Sequence, residues 1–129
     1  MQVLPSIFIA SSEIAGRGVF TAAPIPAGSL IEISPVIVLS EEDRVKIHAT
    51  HLHDYYFIWG HADDQCAIIL GYGSIYNHSY QPNAEYVPDF ERDNMQYYAL
   101  RDIEAGEEIT VNYNGDPRVE RPLWFDLKK

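Results

Sequence analysis

The sequence predicts a mainly β fold, and three observations carry that prediction. Short apolar segments rich in Val, Ile, Phe and Tyr recur along the chain, separated by Gly and Pro. Only one stretch has the chemistry of a helix start. A strand-turn-strand signature, I-x-A-G-x-x-I, occurs twice at an offset of 78 residues, in "FTAAPIPAGSLI" from Phe20 and "YALRDIEAGEEI" from Tyr98.

Each element follows from its composition. "SIFIA", "GVFTA" and "SLIEISPVIVL" are β-branched or aromatic runs bounded by turn residues, so the first 39 residues read as strands. "SEEDRVKIHATHL" follows, with Ser40 as N-cap, Asp43 three positions on and acid in the first turn; a short helical insert is expected over 41–53. "YYFIW" and "CAIIL" flank "GHADDQ", which reads as a hairpin loop. "MQYYAL" and "EEITVNY" close the chain of strands. The two Ala-Gly copies imply a pseudo-symmetric pair of hairpins flanking the middle of the chain.

Composition narrows the function. At 129 residues, residues 1–129 form one expected domain, and the hydrophobic fraction of 47% with nine tyrosines excludes a disordered tail. No apolar run approaches the roughly 18 residues of a membrane span, and the N-terminus lacks a secretory pattern, so no membrane partner is expected. The lone Cys66 can form neither an internal disulfide nor a cysteine-rich zinc site, which favours an intracellular setting, cytoplasm or nucleus. A net charge of −10, from 19 acidic and 9 basic residues, argues against nucleic acid and for a cationic partner.

Four stretches carry candidate chemistry. The spacing of His48, His51, His53 and His61 fits no zinc signature, so no metal is expected. "CAIILGYG" lacks the third glycine and following helix of a nucleotide-binding βαβ unit. "AGRGVF" places Gly16 and Gly18 around Arg17, where backbone can approach a ligand closely. The polar stretch "SIYNHSYQPNAEY" and the strand "AGEEITVNYNGD", which delivers Tyr113 to a turn, complete the set.

Together and in this order, these elements resemble the SET-domain protein lysine methyltransferases. "GRGVF" is similar to the family's N-terminal glycine motif, "YNHSYQPN" to F-x-N-H-S-C-x-P-N, and "GEEITVNY" to G-E-E-L-T-x-D-Y. "HDYYF" and "RPLWFDLKK" resemble the family's D-Y-L-F stretch and the Trp-bearing tail of members without zinc. The short length and "LGYGSIYNHS" are most similar to the compact viral SET methyltransferase.

The resemblance implies a SET (β-clip) fold of several small sheets, with a C-terminal pseudoknot and a tail, 114–129, without zinc-binding cysteines. It implies S-adenosylmethionine as cofactor and a lysine-containing basic, histone-like protein or peptide as substrate, the two entering from opposite sides of a channel. By position, Tyr113 is the implied catalytic tyrosine, while Tyr55 and Tyr86 line the lysine channel. Gly16, Arg17, Gly18, Asn77, His78, Tyr113 and Trp124 are implied on the cofactor, with Ser79 and Asn83 bracing the threaded C-terminal segment. Val111 stands at the channel position that tunes methylation degree, giving an expectation of mono- or dimethylation. Asn112 stands where the family often has Asp, and Tyr80 where many members have Cys. A homodimer would complete the peptide groove. The competing readings are a silent SET-like peptide-binding module and a methyltransferase of small amines.

Overall fold

The computed structural model describes residues 2–113. In order they form β1 (Gln2–Val3), β2 (Ile7–Ser11), β3 (Arg17–Thr21), β4 (Leu30–Leu39), α1 (Glu41–His48), a 3-10 helix (His51–Asp54), β5 (Tyr56–Trp59), β6 (Gln65–Ile69), β7 (Asn77–His78), β8 (Ala84–Asp89), β9 (Asn94–Ala99) and β10 (Glu108–Val111). The architecture is the mainly β one that the apolar runs predict. The tail and Trp124 lie outside the described residues, as does whatever part of a pseudoknot falls there.

Two sheets make up the fold. One has the order β5-β6-β4-β9-β8 with β1 added on β4, and the other β2-β3-β10-β7. The long β4 is the spine of the first. Residues Leu30 to Pro35 pair with β9 and Val36 to Leu39 pair with β6, with a register irregularity between Leu30 and Glu32. Pairing is antiparallel except between β10 and β7, where Thr110 and Val111 run parallel to Asn77 and His78. That parallel pair sets the second half of the polar stretch against the last described strand. Asn83 locks it further, accepting from Thr110 N–H at 2.9 Å and donating to Glu108 O at 2.8 Å.

The repeated Ala-Gly turns face each other. Ile25 and Ile103, equivalent positions of the two copies, exchange both backbone hydrogen bonds at 2.8 Å. The symmetry extends outward, with Gly28 N–H donating to Ala99 O at 2.8 Å and Gly106 N–H to Thr21 O at 2.7 Å. Both isoleucines are buried in a core that also holds Val19, Ile31, Trp59, Tyr76, Tyr97 and Ile109.

Local chemistry explains the helical insert, which is two pieces. Ser40 Oγ accepts from Asp43 N–H at 3.1 Å, the capping bond that the sequence suggests. Thr50 then ends one helix and starts the next, since its hydroxyl donates to Ile47 O and accepts from Leu52 N–H. Strands β1, β7 and β8 were not legible as apolar runs. The first two have two residues each, and β8 carries Pro88, whose missing N–H an edge strand tolerates because no further strand needs that donor.

Candidate active site

The loop between β2 and β3 is shaped by two glycines acting differently. Gly16 has φ +45°, a left-handed conformation that favours glycine, and its carbonyl accepts from Ser12 N–H at 3.0 Å to close the turn. Gly18 is needed for space, because a Cβ there would sit 2.2 Å from Glu108 Oε2. The Glu108 carboxylate occupies that space and latches the loop. Its Oε1 accepts from Ser12 Oγ at 2.6 Å and its Oε2 from Asn77 Nδ2 at 2.7 Å. The same amide nitrogen lies 3.0 Å from Arg17 O and 3.3 Å from Ala15 O. Asn77 thus ties the glycine loop to β10.

Around Tyr113 the backbone and rings interlock. Tyr113 N–H donates to His78 Nδ1 at 3.0 Å, which fixes that ring nitrogen as an acceptor. The Tyr113 hydroxyl donates to Tyr76 O at 2.5 Å, and Tyr86 OH donates to Tyr113 O at 3.2 Å. Burial pushes the Tyr113 phenol up to about 12, with help from the Tyr55 phenol and the Glu108 charge. Burial, then Tyr113, pushes Tyr86 up to about 12 as well. Tyr113 therefore remains a protonated phenol, a hydrogen-bond donor across the neutral range.

Two cavities meet at this tyrosine. The larger, about 750 Å³, is lined by residues 14–17 together with Ile75, Asn77 and His78. The smaller, about 450 Å³, is walled by Phe57, Ile58, Tyr86, Pro88 and Phe90. Asp54, Tyr55, Ser74 and Tyr113 line both. The fold thus brings Gly16, Arg17, Asn77 and His78 to one side, Tyr86 to the other, and Tyr55 and Tyr113 to the junction. Gly18 lies beneath the loop. Val111 is packed in the core at 2% exposure and lines neither cavity. Its strand turns that short side chain inward.

Several contributors were missed from sequence. Asp54 and Glu108 stand inside motifs that were recognised, "HDYYF" and "GEEITVNY", and adjacency to Tyr55 or pairing with Asn77 could have flagged them. Ser12 gives no sequence signal, since its role depends on a partner 96 positions away. Among the described residues no group of three or more His, Cys, Asp or Glu is placed to hold a metal ion.

Comparisons with known proteins address the family and the fold. The SET domain family profile matches residues 16–114. A Schizosaccharomyces pombe protein named as a histone-lysine N-methyltransferase specific for H3 lysine-37 is 38% identical over 120 residues, spanning 92% of this chain and 76% of that protein. The crystal structure of a Plasmodium falciparum protein assigned as a histone methyltransferase superposes with a TM-score of 0.68 at 30% identity, covering 85% of this chain and 98% of that one. Part of Chaetomium thermophilum Polycomb Repressive Complex 2 shares the fold, with a TM-score of 0.73 at 21% identity over 83% of this chain and 15% of that one. With a family profile covering most of the chain and two likenesses at 30% identity or more that span most of both partners, the chain belongs to the SET domain family.

Proposed function

We infer that the protein is an S-adenosylmethionine-dependent protein-lysine N-methyltransferase acting on a basic, histone-like protein, with residues 1–129 working as one unit. The observation that carries this reading is the meeting of two cavities at a half-buried, protonated tyrosine. One cavity suits a cofactor and the other a lysine side chain.

The larger cavity fits the cofactor by size and by donor set. About 750 Å³ lies within the usual range for such sites, and Gly16 has no atom within 4 Å of where a Cβ would stand, so its backbone is open for close approach. Arg17 supplies a cation for a carboxylate, and Asp54 an anion for cationic groups. S-Adenosylmethionine bound there supplies an electrophilic methyl group on a sulfonium. The chain's own residues then have three tasks.

First, they must help the substrate lose a proton. Lysine has a pKa of about 10.4, so roughly one molecule in 2,500 is neutral at pH 7, a penalty of about 4.6 kcal/mol. An aromatic wall of Tyr55, Phe57 and Tyr86 disfavours the ammonium and lowers that penalty. Second, they must hold the amine in line with the methyl group, the task assigned to the Tyr113 phenol and Tyr55. A phenol titrating near 12 is unsuited to act as general base at neutral pH, so its work is orientation. Third, they must seat the peptide. β5 and β8 are the two edges of the first sheet, and residues of both line the smaller cavity, so an extended peptide can add there as a strand. Asp54 and Asp63 on that cavity suit a basic sequence, and such a substrate is intracellular. Likeness to the compact viral enzyme concerns size and one motif.

The test is transfer of labelled methyl from S-adenosylmethionine to basic proteins, with calorimetry of cofactor binding. Label on lysine is expected, and Tyr113→Phe should cut kcat by on the order of a hundredfold while cofactor affinity holds within about threefold. A folded protein that binds no S-adenosylmethionine would overturn the reading and favour a peptide-binding module.

A further inference from the structure

Glu32 is fully buried near the start of β4, where an apolar residue would cost the fold less. Its carboxylate is occupied on both oxygens. Oε1 accepts from Tyr76 OH at 2.7 Å, and Oε2 accepts from Tyr72 N–H at 3.0 Å. These donors bracket residues 72–76, a turn that no strand pairing holds.

The same turn builds both cavities. Gly73, Ser74 and Tyr76 line the smaller and Ser74 and Ile75 the larger. Two other contacts hold it from the same side, as Tyr97 OH donates to Gly73 O at 3.2 Å and Ser74 Oγ donates to Ile69 O at 2.8 Å. Tyr97 also stacks on Tyr76, with ring centroids 4.5 Å apart and an interplanar angle of 26°. Opposite Glu32 in the ladder stands Tyr97 itself. The turn is thus fastened to β4, β6 and β9 while it lines both cavities.

We propose that Glu32 is a positioning residue for methyl transfer: by clamping Tyr72 N–H and Tyr76 OH, it sets where the Tyr76 carbonyl presents itself to the Tyr113 phenol. The proposal rests on the methyltransferase reading. The acceptor for Tyr113 is a backbone carbonyl, which no side-chain substitution deletes, so its position is the variable that Glu32 controls. Glutamine keeps the shape but weakens the clamp: with its oxygen on Tyr72 N–H, its NH₂ can only donate to Tyr76 Oη, so that bond reverses, the carboxylate charge that strengthens it is lost, and the Tyr76 hydroxyl proton loses its acceptor in a buried site. Tyr76 then shifts and the phenol follows its acceptor.

The experiment compares Glu32→Gln and Tyr76→Phe with the unmodified chain, alone and combined with Tyr113→Phe. Tyr76→Phe keeps the ring stacked on Tyr97 and removes only the hydroxyl held by Glu32, so it serves if Glu32→Gln fails to fold. Expected is a fall in kcat of about 10- to 100-fold with KM for cofactor and peptide changed less than about threefold. In the Tyr113→Phe background the same substitutions should cost nothing further, because the group they position is gone. A second readout needs no turnover: the ¹³Cζ resonance of Tyr113, assigned by its loss in Tyr113→Phe, should move in both variants. Unchanged kcat in folded variants, or losses that multiply fully with Tyr113→Phe, would overturn the proposal. If the unmodified chain transfers no methyl group, the functional reading fails by itself, and an unmoved Tyr113 resonance would separately refute the clamp.

Discussion

Gly18→Ala tests how the glycine loop is built. The added Cβ would lie 2.2 Å from Glu108 Oε2, 2.7 Å from its Cδ and 3.0 Å from Asn77 Nδ2, so the carboxylate must swing away. Doing so breaks its bonds to Ser12 Oγ at 2.6 Å and Asn77 Nδ2 at 2.7 Å. Bonds to a charged group contribute about 1.5–3 kcal/mol each when lost, and re-solvation of a half-buried carboxylate recovers part of that. Alanine also restricts the unfolded chain, a gain of about 0.4–1 kcal/mol at a position with ordinary φ. The losses win, leaving about 1–3 kcal/mol of destabilisation, or a drop in Tm of roughly 3–12 °C for a chain of this size. Affinity for S-adenosylhomocysteine by calorimetry should fall about tenfold or more, since the loop lining the cavity loses its latch. Gly16→Ala is the contrast, because nothing crowds its Cβ and only the left-handed backbone resists, a cost of about 1–2 kcal/mol. A Gly18→Ala protein with unchanged Tm and cofactor affinity would refute the latch.

Two further outcomes are expected. Tyr86 and Tyr113 titrate near 12 when folded against about 10 when unfolded, so the unfolded state releases their protons first. Stability is therefore complete below about pH 10 and declines as pH rises toward 12, by up to about 2–3 kcal/mol per group. Thermal melts from pH 8 to 11.5 should show the decline, with a shallower slope in Tyr86→Phe; equal slopes would count against it. Asp63 has φ +55°, which Asn tolerates, so Asp63→Asn isolates its charge. KM for a basic peptide should rise about threefold at low salt and converge with the unmodified chain at high salt. No change at low salt would remove Asp63 from the peptide groove.

Much of the fold was legible because its strands are self-announcing. "CAIIL", "YYFIW" and "MQYYAL" carry the β-branched and aromatic residues that a half-buried pleated surface selects, and they became β6, β5 and β9. In the candidate site, Gly16, Tyr113 and the Asn77-His78 pair, singled out from sequence by residue type and motif, line one cavity together. The site was illegible where chemistry depends on a distant partner. Ser12 and Glu108 matter to each other across 96 positions, and Glu32 looks like a polar interruption of an apolar strand until Tyr76, 44 positions on, is placed against it. Val111 shows the converse: motif position put it on the channel, whereas its place on β10 packs it inward.

The Ile25–Ile103 crossing also sets the order of assembly. Joining those residues closes a loop of 78, an entropic cost of roughly 4 kcal/mol that must be met before the paired turns return anything. Local hairpins such as β5–β6 and β8–β9 can form early, but the β3–β10 and β7–β10 ladders cannot. Slow, late-barrier folding is the expected regime for such non-local pairing. The larger cavity draws on residues 14–17, 54–55, 74–75, 77–78 and 113, so it comes into being with that last step. A nascent chain released before β10 emerges would hold hairpins but no binding site, and ligand could therefore act only on the finished fold, trapping it rather than guiding it.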